Sequence, residues 1–255
     1  MRSIWIIAAN TFREVIRDRI LYGILVFALF LIGISLALGN LSFAEQARIS
    51  ANFGFTGIQL GVSILAVFVG SSLVAKEIDK QTILTLLARP ITRAQFLLGK
   101  FLGLFMVIAT VMVGLAAVLM CVVVFLELKI VPSFFIALLG VLIEGLMLIA
   151  LALFFGTFSR PIMTVLFTSS LFIIGHWVKS LDYFTEKSES PAFKAMGKVI
   201  SHVVPDLERF NWRSAPIYGS SIPAQEVLSA LVYGAGWMIL ILSVTVLIFR
   251  RRDFV

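Results

Sequence analysis

The sequence predicts an all-α polytopic membrane protein: six transmembrane helices preceded by an N-terminal amphipathic interfacial helix. Three observations predict it. The 255 residues are 60% hydrophobic and only 14% charged, with a mean hydropathy of +1.05, far more apolar surface than one soluble core can bury. The charges cluster between apolar runs long enough for about 30 Å of hydrocarbon at roughly 1.5 Å per residue. The basic residues flanking those runs also fall mainly on one side, as the positive-inside rule requires.

Each element follows from local pattern. Within residues 3–18, Trp5, Ala8, Ala9, Phe12 and Ile16 share one helical face while Asn10, Arg13, Glu14, Arg17 and Asp18 share the other, the signature of a helix lying in the cytoplasmic interface. The first span, Ile20 to Gly39, carries no charge. A polar outer stretch, Asn40 to Asn52, precedes the second span, Phe55 to Ala75. A cytoplasmic stretch, 76–100, then leads into a third span ending near Leu126. A short outer turn, Glu127 to Ser133, joins it to the fourth span, Phe134 to Phe158. A tight inner turn at Ser159, Arg160 and Pro161 opens the fifth, which is expected to end near Val178. Residues 179–226 are mixed in charge and read as an extracytoplasmic segment, with Phe193, Met196, Ile200 and Val203 or Val204 on one helical face before Pro205. The sixth span, Val227 to Phe249, closes on Arg250, Arg251 and Arg252. The whole chain, 1–255, thus reads as a single transmembrane domain.

Orientation comes from Lys and Arg in short loops. Arg2, Arg13, Arg17 and Arg19 precede the first span, Lys76, Lys80, Arg89, Arg93 and Lys100 lie between the second and third, and Arg160 and the terminal arginines follow. The opposite side has Arg48, Lys129 and a long segment whose acids nearly balance its bases. Both termini are therefore expected in the cytoplasm of a multi-pass protein of the inner (cytoplasmic) membrane. The net charge of +7 is accounted for by these flanks and by lipid headgroups, so nucleic acid is not an expected partner. The charged amphipathic stretch before the first apolar run, with no Ala-x-Ala site after it, does not read as a cleaved signal peptide. The lone Cys121 excludes an intrachain disulfide.

The most informative stretch is KEIDKQTILTLLARPITRAQFLLGK. Ile83, Leu86 and Leu87 form a short apolar stripe, and Thr92 with Gln95 has capping-box spacing, so the third membrane helix should begin below the bilayer. A projecting helix-turn-helix needs a protein surface to dock on; an interfacial loop anchored to headgroups is the alternative. Glu77, Thr82, Leu86, Leu87, Pro90, Thr92, Arg93, Phe96, Gly99 and Lys100 resemble the loop of type-2 ABC exporter permeases. That likeness extends to the elbow helix, the six spans, the long outer segment and the basic ending, and implies a type V ABC exporter-like fold. Residues Ala9 to Ile24 and the overall length are most similar to the subgroup associated with maturation of copper enzymes such as nitrous-oxide reductase.

The resemblance implies a coupling helix within 76–100 that receives the stroke of a separate cytoplasmic ABC ATPase subunit. Lys76, Glu77, Asp79, Thr82, Leu86, Leu87, Arg89, Pro90, Thr92 and Arg93 are its candidate residues, with Arg160 as a second contact. It further implies a permease homodimer or heterodimer in a two-plus-two complex, in contact with membrane lipid and open to an extracytoplasmic partner. ATP and magnesium would belong to the partner ATPase. This chain has no P-loop, because Ala94 stands where the first glycine is needed and Phe101 where Ser or Thr must reach magnesium.

Glu144 is the acidic residue near the middle of a span. Burying it ionised costs several kcal/mol, so it must be neutral, paired or facing water. Antiparallel counting places Thr168, Ser169 and Ser170 at similar depth as partners. Two readings are open: a substrate path or dimer interface, and a polar tie between the fourth and fifth spans. Gly57 with Gly61 and Gly99 with Gly103 have the spacing that lets helices approach closely. Trp177, Tyr183, Trp212 and Tyr218 read as interfacial anchors. His176 and His202 are not at ligand spacing and the methionines lack a repeat, so no metal site or cofactor is expected in the chain. An intramembrane enzyme is disfavoured because neither histidine is expected deep in the membrane. A secondary transporter lacks the inverted repeat that its architecture needs. That class and a non-transporting assembly subunit remain the alternatives to the permease reading.

Overall fold

The computed structural model describes residues 2–39, 45–79 and 92–251, apart from the side chains of 38, 74–79 and 251. Helix makes up 88% of the described residues, with no strand among them, and six helices are long and apolar enough to cross a membrane. The amphipathic α1 (Arg2–Ile16) breaks at Arg17 and Asp18, and α2 (Arg19–Gly39) begins where the Asp18 carboxylate accepts the Ile20 N–H at 3.0 Å, one of the orphan donors of a helix start.

The second membrane helix, α3 (Gln46–Asp79), starts well before Phe55. The polar residues read as an outer loop are therefore partly its first turns. They serve helix ends: Glu45 pairs with Arg48 at 2.8 Å, and the buried Ser50 hydroxyl donates to the Ser35 carbonyl of α2 at 3.0 Å. Helix α4 (Arg93–Phe125) opens on the expected capping box, with Thr92 Oγ1 accepting the Gln95 N–H and the Gln95 side chain accepting the Thr92 N–H. It ends in paired bonds from Glu127 N–H to the Val124 carbonyl and Leu128 N–H to the Val123 carbonyl, the Schellman arrangement. Glu127 takes φ 58° there, a left-handed position usually left to glycine.

Helices α5 (Pro132–Gly156), α6 (Pro161–Lys187) and α7 (Pro191–Val203) each begin with proline, where its missing N–H costs no bond and its fixed φ suits the first turn. The fifth membrane helix passes Val178, where its apolar run ends, because no breaker occurs before Ser188. Beyond α7 come a 3-10 turn, Leu207–Phe210, a short α8 (Ser214–Tyr218) and α9 (Ala224–Arg251).

Helices α3 and α5 form the centre, with α2 and α4 packed on α3 and α9 packed on α5, while α2, α6 and α9 leave most of their surface for lipid. The glycine pairs allow close approaches between helices of this chain. A Cβ at Gly61 would sit 2.8 Å from that of Ala28 on α2, and one at Gly103 would sit 2.6 Å from Thr11 Cβ and 2.8 Å from the Ala8 carbonyl on α1. Both spacings thus serve intrachain packing, and the second seats the amphipathic helix against α4. Lys100, buried beside it, lies 3.8 Å from Glu14 of α1.

The segment between α6 and α9 packs back onto the membrane helices through part of its length. Val204, Leu207, Phe210 and Trp212 are buried. Leu207 meets Gly175 of α6, while the Phe210 backbone and the Trp212 ring meet Gly140 of α5. Trp212 is therefore a packed residue, not the headgroup anchor expected; its indole N–H donates to Glu226 at 3.0 Å. Trp177, Tyr183 and Tyr218 are exposed.

Candidate functional site

The helix pattern brings six polar side chains together in the middle of the bundle. Glu144, at the midpoint of α5, is 1% exposed. Its partners come mainly from α3, where Gln59 and Ser63, one turn apart, face α5 through an otherwise apolar stripe. Gln59 Nε2 donates to Glu144 Oε2 at 2.9 Å, and the Ser63 hydroxyl donates to Oε1 over a longer 3.4 Å. His176 of α6 places Nε2 at 3.6 Å from Glu144 Oε1 and 3.2 Å from Gln59 Nε2. Arg213, just ahead of α8, donates to Gln59 Oε1 at 2.9 Å and to Thr56 Oγ1 at 3.3 Å.

Donor and acceptor inventory orders this cluster. Arginine can only donate, so the Gln59 carbonyl must face Arg213 and its amide hydrogens must face Glu144 and His176. His176 Nδ1 lies 2.9 Å from the Phe172 carbonyl, which only a protonated Nδ1 can bond; Nε2 is then free to accept the second Gln59 hydrogen. One amide thus connects a buried carboxylate, an imidazole and a guanidinium. A carboxylate so far from water would otherwise carry a desolvation cost of several kcal/mol.

The partners expected for Glu144 are not those it has. Thr168 gives its hydroxyl to the Thr164 carbonyl at 2.8 Å, Ser169 is half-buried and Ser170 lies on the exposed face. His176 takes the place because it lies as far after Arg160 as Glu144 lies before it. That same symmetry places the histidine at mid-bundle, deeper than its position near the end of the apolar run suggested. Gln59 and Ser63 were missed, although a polar pair at helical spacing inside an apolar span is the signal that could have found them. Arg213 carried no local signal, since its approach depends on the long segment folding back.

Of the other candidate residues, those described lie at the end of the bundle that holds Arg2 and Arg251. Lys76, Glu77 and Asp79 fall on the last turn of α3, where side chains are outside the described residues, as are Thr82, Leu86, Leu87, Arg89 and Pro90 altogether. Arg160 is exposed at the start of α6, and its carbonyl accepts from the Thr164 N–H and hydroxyl at 3.0 and 3.1 Å. Arg93 reaches across to α9: Nη1 donates to the Phe249 carbonyl at 2.5 Å and to the Arg250 carbonyl at 3.0 Å. These carbonyls belong to the last turn of α9, where a helix lacks internal donors and its dipole favours a cation. Phe96 stacks on Phe249 with ring centroids 6.0 Å apart.

Six helices long and apolar enough to cross a membrane around a largely buried polar cluster, with an amphipathic helix laid against α4, define a multi-pass integral membrane protein. The chain matches the model described as ABC-2 family transporter protein over residues 5–254, and it belongs to that family. It is accordingly the membrane-spanning permease of an ABC transporter, a subunit that is not itself catalytic. No curated protein matches it at a significant level.

Proposed function

We propose that this permease is the export subunit of a complex powered by a separate cytoplasmic ABC ATPase, which docks on the connection between α3 and α4 and touches the Arg160 turn. The observation that carries this reading is the construction of the first turns of α4. Helix α3 has 34 residues and α4 has 33, so each spans about 50 Å at roughly 1.5 Å per residue against about 30 Å of hydrocarbon. Within its first turns α4 holds the last carbonyls of α9 through Arg93, the buried Phe249 ring through Phe96, and α1 through Gly99 and Gly103. A push on the α3–α4 connection would therefore move the amphipathic helix and the final membrane helix together.

The burial of Glu144 supports a reading of the cargo route. Glu144 is buried and packed among α3, α5 and α6 within one chain, which favours the polar tie over a path lined by this residue. Cargo would move along the apolar outer surfaces or between two copies of the permease, suiting a lipid-like or amphipathic substrate; a mechanical role without cargo is consistent with the same geometry. Two permease chains with two ATPase chains, ATP and magnesium held by the ATPase, and cytoplasmic termini complete the proposal. The opening stretch Ala9–Ile24 is what supports kinship with the copper-enzyme maturation subgroup.

The test is co-expression with a P-loop ATPase, sought first in the neighbouring genes, followed by co-purification and ATP hydrolysis in lipid. Glu77→Ala should weaken capture of the ATPase. Arg93→Ala should leave capture intact and reduce permease-stimulated hydrolysis. Transport by the chain alone along an ion gradient, with no ATPase captured, refutes the proposal.

A further inference from the structure

We propose that the hairpin of α6 and α7 holds the headgroup of a zwitterionic phospholipid bearing a primary amine, of the phosphatidylethanolamine type. Past its apolar part, α6 presents Asp182 and Glu186 on one face, and α7 presents Lys194 and Lys198 on the face turned toward them. The two faces line a cleft of about 460 Å³. None of these four charges pairs within 4.0 Å with any described residue, although opposite signs face each other across the gap. A ligand carrying both a phosphate and an ammonium group would satisfy both walls at once, the phosphate at the lysines and the ammonium at the carboxylates.

Two further features belong to the same cleft. Thr185, also on its wall, is 4% exposed and its hydroxyl has no hydrogen-bond partner, whereas buried hydroxyls are ordinarily satisfied. Its close packing against Gly197 sets the hinge of the hairpin, where any Cβ would collide with it. On the far wall, His202 spends Nδ1 on the Lys198 carbonyl at 2.7 Å, leaving Nε2 for a ligand.

The surroundings select a lipid as the source of such a ligand. The remaining face of α7 exposes Met196, Val199 and Val203, and α6 exposes Trp177 and Phe184 on its side away from the cleft. A helix with one apolar and one lysine-bearing face lies in the headgroup region, and exposed aromatics mark the same level. The cleft would then open where phosphates and amines of one leaflet are densest. Carboxylates on one wall disfavour a purely anionic headgroup, and a quaternary choline offers them no N–H to accept.

The inference needs no ATPase, so its failure and that of the export proposal are separable. The full chain, delipidated in detergent, is titrated with phosphatidylethanolamine, phosphatidylcholine or phosphatidylglycerol of matched acyl chains, and bound lipid is counted by native mass spectrometry. Phosphatidylethanolamine should bind about tenfold more tightly than either of the others, the weight of one charge-assisted hydrogen bond. The isosteric pair Asp182→Asn and Glu186→Gln should abolish that preference while leaving phosphatidylglycerol binding equal or stronger. Lys194→Gln with Lys198→Gln should weaken all three lipids. Equal binding of the three lipids by the unaltered chain overturns the proposal, as does an ethanolamine preference that survives the carboxylate substitutions.

Discussion

Replacing Arg213 by alanine tests whether the mid-bundle cluster is an electrostatic unit. The guanidinium donates to Gln59 Oε1 at 2.9 Å and Thr56 Oγ1 at 3.3 Å. A hydrogen bond from a charged donor to a buried acceptor contributes about 1.5–3 kcal/mol, and the Gln59 carbonyl would be left without its donor. The amide would then be free to turn its nitrogen away from Glu144, so the loss should propagate to the carboxylate. Arg213→Ala should therefore cost about 2–3 kcal/mol when Glu144 is present. With Glu144→Gln already in place there is no carboxylate to neutralise, and the same substitution should cost about 1 kcal/mol, close to one neutral hydrogen bond. The cycle is measured by reversible unfolding in mixed micelles titrated with sodium dodecyl sulfate. Residues sharing a network couple, whereas independent sites add to within about 0.5 kcal/mol. Additive losses would show that Arg213 and Glu144 are neighbours without being partners, and the reasoning from the Gln59 bridge would fall.

The remaining predictions concern helix ends and close packing. Arg93→Ala should loosen the last turn of α9, raising amide hydrogen exchange there for a loss of about 1–2 kcal/mol; Arg93→Lys should restore only part, since an ammonium keeps the charge but not the guanidinium that lies 5.8 Å from the Phe249 ring centroid. Gly103→Leu should lift α1 off α4, because even a Cβ meets Thr11 and the Ala8 carbonyl inside contact distance; labelling of a cysteine placed at buried Ala8 should then rise sharply. Glu127→Gly should stabilise the chain by about 1 kcal/mol, relieving the left-handed backbone at the α4 terminus, with an unchanged midpoint counting against that strain.

How far the fold could be read from residues varies along the chain. The six spans were legible because a stretch with no charge and enough length has no other solvent, and the capping box at Thr92 because its two bonds are both local. The ends were less so: α3 begins at Gln46 and α6 runs to Lys187, since helix continues through polar residues until something breaks it. The importance of Glu144 was visible from its isolation, but its partners were not. Thr168 bonds its own helix, as hydroxyls in helices readily do, and the residue that reaches Glu144 from α6 is His176.

By itself the sequence determined the solvent of each segment, the helical state of the spans and the one intramembrane carboxylate that must be satisfied, because these depend on composition and on periods of a few residues. Tertiary structure alone decided which glycine pair grips which helix, that Trp212 is buried, and that Arg213 closes on Gln59. Those contacts join residues far apart in sequence, Gly103 with Thr11 and Arg213 with Gln59, 154 positions away, among them. They exist only once packing has chosen the helix neighbours, a choice no local period encodes.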